Sequence, residues 1–112
     1  MPHTAEELAR SAMSELSGIT CEEYKKSKAE GQAHVFLDVR EPAEWEAGHM
    51  DGAMHIPRGL LEFKVEEVIH DKDQSIILCC AKGSRAALAG QTLKNMGYTN
   101  LKVLEGGYNA CH

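Results

Sequence analysis

The sequence lacks the C-x-x-C and H-x-x-x-H spacings among its 4 cysteines and 6 histidines, so no zinc ligand set is written into it and no metal or cofactor is expected. No apolar run approaches the length of a membrane span. The stretch Met1 to Arg10, with two glutamates, has no apolar segment of the kind a signal peptide needs, which makes the cytoplasm, away from membrane, the expected setting. Positive charge is not in excess: 12 Lys and Arg stand against 17 Asp and Glu, a net charge of -5, which excludes a nucleic-acid binder that relies on phosphate contacts. Repeats, low-complexity tracts and linkers are absent too, and 112 residues suit one domain with a single core. What is there, 43% hydrophobic and 26% charged residues, is the composition of a globular chain, not of a disordered one or a coiled coil.

The cysteines are Cys21, Cys79, Cys80 and Cys111. The neighbours Cys79 and Cys80 could bridge each other only through a strained ring, so all four read as reduced thiols, with Cys21 and Cys111 unpaired bystanders or, alternatively, Cys111 as a resolving thiol. Charge is uneven along the chain. Residues 1–50 hold 5 basic and 10 acidic side chains, residues 51–112 hold 7 of each, and the segment from Cys79 to Leu104 has Lys82, Arg85, Lys94 and Lys102 but no acid. An anion is the expected visitor there.

Thr4 with Glu7, and Thr20 with Glu23, have the spacing of capping boxes, each opening a helix. The first carries Leu8, Ala12, Met13 and Leu16 on one face and ends at Ser17 and Gly18; the second runs to about Ala29, with Ile19 and Tyr24 as its hydrophobic staple. Val35 to Val39 reads as a buried parallel strand, and Pro42 suits the first turn of a helix to about Ala47, where the spacing of Trp45 makes it core. A short strand over Ala53 to Ile56, a helix from about Leu60 to Ile69, a strand Ile76 to Cys79, a helix from about Ser84 to Met96 and a strand Leu101 to Leu104 follow. Strands alternating with helices predict an α/β fold with a small parallel sheet covered on both faces, its site at the carboxyl ends of the strands.

The chemistry then belongs where Ile76 to Cys79 gives way to Cys80, Ala81, Lys82, Gly83, Ser84 and Arg85. A thiol in a strand-to-helix turn faces unpaired backbone N–H groups and a helix N-terminus, and Lys82 and Arg85 add two cations, so Cys80 is expected to have a pKa below the free-thiol value of about 8.5. Gly83 lets the backbone bend without a side chain blocking the cradle.

These residues resemble a single-domain rhodanese of the thiosulfate sulfurtransferase family. Asp38-Val39-Arg40-Glu41-Pro42, Glu44, Gly48-His49-Met50-Asp51-Gly52-Ala53 and Ile56-Pro57 are similar to its first hallmark segment. Cys80-Ala81-Lys82-Gly83-Ser84-Arg85 resembles its six-residue active loop, and Gly97-Tyr98 with Leu104-Glu105-Gly106-Gly107-Tyr108 its closing segment. The likeness covers roughly Ile19 to Ala110, which makes residues 1–17 a helical extension and 18–112 the rhodanese-like domain. It implies a three-layer α/β fold and a persulfide on Cys80. Thiosulfate or a similar small anionic donor would be held by Ala81, Lys82, Gly83, Ser84 and Arg85, and sulfur would pass to cyanide, a thiol or a protein acceptor. The chain departs from the family at Ala81, where thiosulfate-using members often have a second Arg, and at its end, where Cys111 and His112 stand in place of a usual Trp.

Two other readings stand beside this one. Cys79 to Arg85 is C-x5-R, the loop of cysteine phosphatases and arsenate reductases, although Leu78 and Ala86 replace the His and the Ser or Thr those enzymes place around it. A sulfur carrier or interaction module without turnover is the other. Asp38, Arg40, Glu44 and His49 read as structural pairing and capping around the first strand, and Arg58 as a solvated surface residue.

Overall fold

The computed structural model describes residues 3–112, so the first two residues of the Met1 to Arg10 stretch lie outside it. Both capping boxes form: the Thr4 side chain accepts from the Glu7 amide at the start of α1 (Ala5–Met13), and Thr20 accepts from Glu23 at the start of α2 (Cys21–Ala29). Between them lies a short strand, β1 (Ser17–Ile19). The chain continues through β2 (Val35–Asp38), α3 (Pro42–Ala47), β3 (Met54–His55), α4 (Leu61–Val68), β4 (Ile76–Cys79), α5 (Ser84–Asn95), β5 (Leu101–Leu104) and α6 (Gly107–Cys111). Among the described residues, no helix is long and apolar enough to cross a membrane.

The five strands pair in the order β1-β5-β4-β2-β3, and every pairing is parallel. All five therefore end at the same edge, where Thr20, Val39, Ile56, Cys80 and Glu105 follow them. Helices cover both faces. Because strand side chains alternate, Ile76, Leu78 and Cys80 pack on one face with Leu61 and Val65 of α4 and Ala86, Ala89 and Leu93 of α5. Ile77 and Cys79 pack on the other with Tyr24 of α2 and Cys111 of α6. The α/β fold with a parallel sheet flanked by helices is as the sequence predicts.

Three local expectations are corrected. In α1 the buried residues are Ala9 and Ala12, while Leu8 is 48% exposed; α1 lies on α5, where Leu16, just past its end, closes over Gly90. Trp45 is half-buried, not core, and its ring is stacked between those of His49 and His55, at centroid distances of 3.5 and 4.7 Å. Cys21 and Cys111 are not free thiols: they form a disulfide across 90 residues of sequence, and only Cys79 and Cys80 are free. The vicinal-pair argument against disulfides holds for Cys79 with Cys80 and says nothing about a pair that folding brings together.

One buried ion pair stands at the carboxyl edge. Asp38, with no exposed surface, accepts from the Arg40 backbone N–H at 3.0 Å and from the Arg40 guanidinium at 2.8 to 3.1 Å. The same guanidinium donates to the Gly48 carbonyl at 2.7 Å and lies 4.1 Å from the centroid of the Tyr108 ring. Breaking a buried pair by removing one partner leaves the other charge uncompensated. Arg40→Met should therefore lower unfolding free energy by about 3 kcal/mol in urea titration. A loss under about 1 kcal/mol would show that the pair does not anchor this edge.

Candidate active site

β4 is central in the sheet, and the chain leaving it turns at once into the loop that precedes α5. Gly83 caps α5 with φ at +119°, a left-handed value that glycine adopts without a Cβ penalty. This bend folds the loop back on Cys80. The Gly83 N–H donates to Cys80 Sγ at 3.0 Å and the Ala86 N–H does so at 3.3 Å. These donors are among the amides that a helix start leaves without intrahelical partners, so the sulfur occupies a ready-made site for negative charge. Cys80 itself is 1% exposed.

The loop is also held from behind. The Tyr108 N–H donates to the Cys80 carbonyl at 2.8 Å, and the Asn109 N–H to the Ala81 carbonyl at 3.1 Å. Gly107, with φ at +63°, packs so closely that a Cβ would overlap both carbonyl oxygens. Gly107 of the closing segment is thus required by contact with the active loop.

The structure brings Cys80, Ala81, Gly83 and Ser84 into one turn and sets the two cations apart from each other in role. The Arg85 guanidinium is bound bidentately by Glu44 of α3, at 2.6 and 3.0 Å, so its charge is already partnered. That contact, with help from the Glu41 backbone and Arg40, holds the Glu44 carboxyl down to about 2. Lys82 is exposed and makes no ion pair among the described residues. It lines a groove of about 540 Å³ between α1 and the loop, together with Ser84, Glu6, Arg10 and Glu105. Lys94 pairs instead with Glu15 at 3.6 Å, so the acid-free segment does not fold into one basic patch. Sequence reasoning gave Glu44 a structural role near the first strand; its grip on Arg85 links two segments 41 residues apart, a contact only the fold reveals.

Cys79 faces away from the Cys80 sulfur, and its thiol donates to the Cys80 carbonyl at 3.4 Å. It lies on the opposite face of the sheet with no exposed surface, and burial, then the nearby Asp38 and Cys80, push its thiol up to about 12. Asp38 and Arg40 pair with each other; His49 contacts the Trp45 carbonyl, and Arg58 donates to Glu62 and Thr92, each at 2.9 Å.

The Glu44 shift has a definite consequence for pH. Because the folded value lies below the ordinary 4.5, the Glu44–Arg85 contact contributes stability that is fully present above about pH 4.5 and lost as pH falls toward about 2. Urea midpoints of the wild type and Glu44→Gln should differ at pH 7 and converge between pH 4.5 and 2. A difference that stays constant across that range would contradict the assignment.

The Rhodanese-like domain family model matches residues 20–112. The tRNA uridine(34) hydroxylase of Erwinia tasmaniensis is 38% identical over 77 residues, which cover 65% of this chain but 22% of that protein, so the chain spans about a fifth of the length of this curated relative. A protein of unknown function from Rhodopseudomonas palustris, RPA3614, described as a possible tyrosine phosphatase, superposes with a TM-score of 0.87 at 28% identity, covering 98% of this chain and 92% of that one. Human single-domain sulfurtransferase TSTD1 superposes with a TM-score of 0.72 at 25% identity, covering 83% and 92%. With its parallel sheet, its cysteine turn and a match over residues 20–112, the chain belongs to the rhodanese-like family.

Proposed function

We propose that the chain is a sulfurtransferase that carries sulfane sulfur on Cys80. The observation that supports this most is the convergence of the Gly83 and Ala86 amides on Cys80 Sγ, which suits the thiolate that takes up and returns the sulfur. The Cys80 thiolate attacks the outer sulfur of thiosulfate; the S–S bond of the donor breaks and sulfite leaves with its electron pair. The persulfide anion then yields its outer sulfur to cyanide, giving thiocyanate, or to a thiolate, giving that thiol's persulfide, and the Cys80 thiolate returns. Each step conserves charge and needs no redox partner.

The family relationship supports a sulfur-related role, and the sulfurtransferase among the structural neighbours points the same way. Thiosulfate as donor rests on Lys82, the unpaired cation beside the loop, with Arg10 across the groove. Arg85 serves by fixing the loop through Glu44 instead of meeting the donor with a free charge. The C-x5-R reading through Cys79 is disfavoured, because a nucleophile facing the far side of the sheet and protonated far above neutral pH cannot attack a substrate in this turn.

Thiosulfate:cyanide turnover, followed as thiocyanate, should fall to background in Cys80→Ser and persist in Cys79→Ser. Loss in Cys79→Ser with retention in Cys80→Ser would overturn the assignment. Lys82→Ala should raise KM for thiosulfate about fivefold, equivalent to roughly 1 kcal/mol for an exposed charge contact, with kcat nearly unchanged. A large fall in kcat at constant KM would show that Lys82 acts in the chemical step.

A further inference from the structure

Two cysteines outside the active loop are joined where the proposed chemistry has no use for them. Cys111 is the last residue of α6, the five-residue helix whose Tyr108 and Asn109 amides hold the Cys80 and Ala81 carbonyls. Cys21 is the first residue of α2. A helix of five residues has little stability of its own, so what fixes it must come from tertiary ties. Here these are the Cys21–Cys111 bond, the Arg40 guanidinium over Tyr108 and the packing of Cys111 against Tyr24, Phe36 and Cys79. The disulfide is the covalent one, and it connects α6 to the start of α2, just after the edge strand β1 that pairs with β5.

The bond is open to attack. Cys21 is half-buried, whereas Cys111 is 3% exposed and borders a groove of about 330 Å³ together with Lys25, Lys28, His49, Asp51 and His112. An incoming thiolate therefore attacks the more accessible Cys21 Sγ, and the sulfur it expels is that of Cys111.

We propose that Cys21–Cys111 is a thiol-exchange site that latches α6 against the active loop, so that a small thiol opening the bond slows sulfur loading at Cys80. In the exchange, the incoming thiolate forms a mixed disulfide with Cys21 as Cys111 leaves. A second thiol then releases Cys21, and the products are two protein thiols and one oxidised small disulfide. With the bond open, α6 frays, the Ala81 carbonyl loses its amide donor, the Cys80 carbonyl keeps only the Cys79 thiol, and the turn that aims the Gly83 and Ala86 amides at Sγ loosens. The control of loading rests on the sulfurtransferase reading above; the latch itself does not.

The test compares three samples: oxidised wild type, wild type reduced with dithiothreitol and desalted without oxygen, and Cys21→Ser. Far-UV circular dichroism checks that each keeps its fold, and if Cys21→Ser does not fold the reduced wild type supplies the same readouts. Hydrogen exchange by NMR at the Tyr108 and Asn109 amides should be at least about tenfold faster in the reduced protein and in Cys21→Ser than in the oxidised one. Single-turnover loading of Cys80 by thiosulfate should be about fivefold slower in both. Unchanged exchange at these two amides overturns the latch. Faster exchange with unchanged loading overturns its control of the site. If thiosulfate loads Cys80 in none of the samples, the sulfurtransferase reading fails, and the exchange rates alone decide the latch.

Discussion

The Cys80 sulfur is held in a turn whose two sides are fixed by different parts of the fold. Amides of Gly83 and Ala86 reach it from the front, while carbonyls of Cys80 and Ala81 are gripped from behind by the start of α6. Six residues in a turn have many conformations, and ordering them costs backbone entropy of about 1 to 2 kcal/mol per residue, so the cradle exists only because the surrounding structure determines it. Gly107 permits the close approach, and the Glu44–Arg85 pair ties the far end of the turn to α3.

The parallel sheet explains why so many of these contacts meet in one place. Since all five strands run the same way, the residues that follow them share one edge. The Asp38–Arg40 pair after β2, the turn after β4 and the Gly106-Gly107 turn after β5 become neighbours. Arg40 joins them further: one guanidinium serves Asp38, the Gly48 carbonyl and the face of Tyr108. The first hallmark segment therefore acts on the site at a distance, through Tyr108 and Glu44, by positioning what touches the sulfur.

Much of this was legible in the sequence. The two capping boxes, the strands Ile76 to Cys79 and Leu101 to Leu104 and the glycine bend at Gly83 are local signals, and each appears where its chemistry puts it. The alternation along β4 also separates the two neighbouring cysteines, since Cys80 shares a face with Ile76 and Leu78 while Cys79 faces the other way. What escaped was non-local or too short for a pattern. The strand Ser17–Ile19 has three residues and gains its identity from pairing with β5, and α6 has five residues behind two glycines. The Cys21–Cys111 bond and the Glu44–Arg85 pair join residues far apart in sequence. Leu8 fits a helical apolar stripe by spacing, yet small alanines at Ala9 and Ala12 are what α1 presents to α5, where helix axes come close.

The central claim is that sulfur resides on the cysteine enclosed by the Gly83 and Ala86 amides. Incubation of the oxidised wild type with thiosulfate, blocking of free thiols and peptide mass spectrometry across Cys79 and Cys80 test it directly. The account predicts one added sulfur atom carried by Cys80, with Cys79 unmodified and removal of the added sulfur by cyanide. Sulfur on Cys79, or none on either residue while the fold is intact, would contradict it.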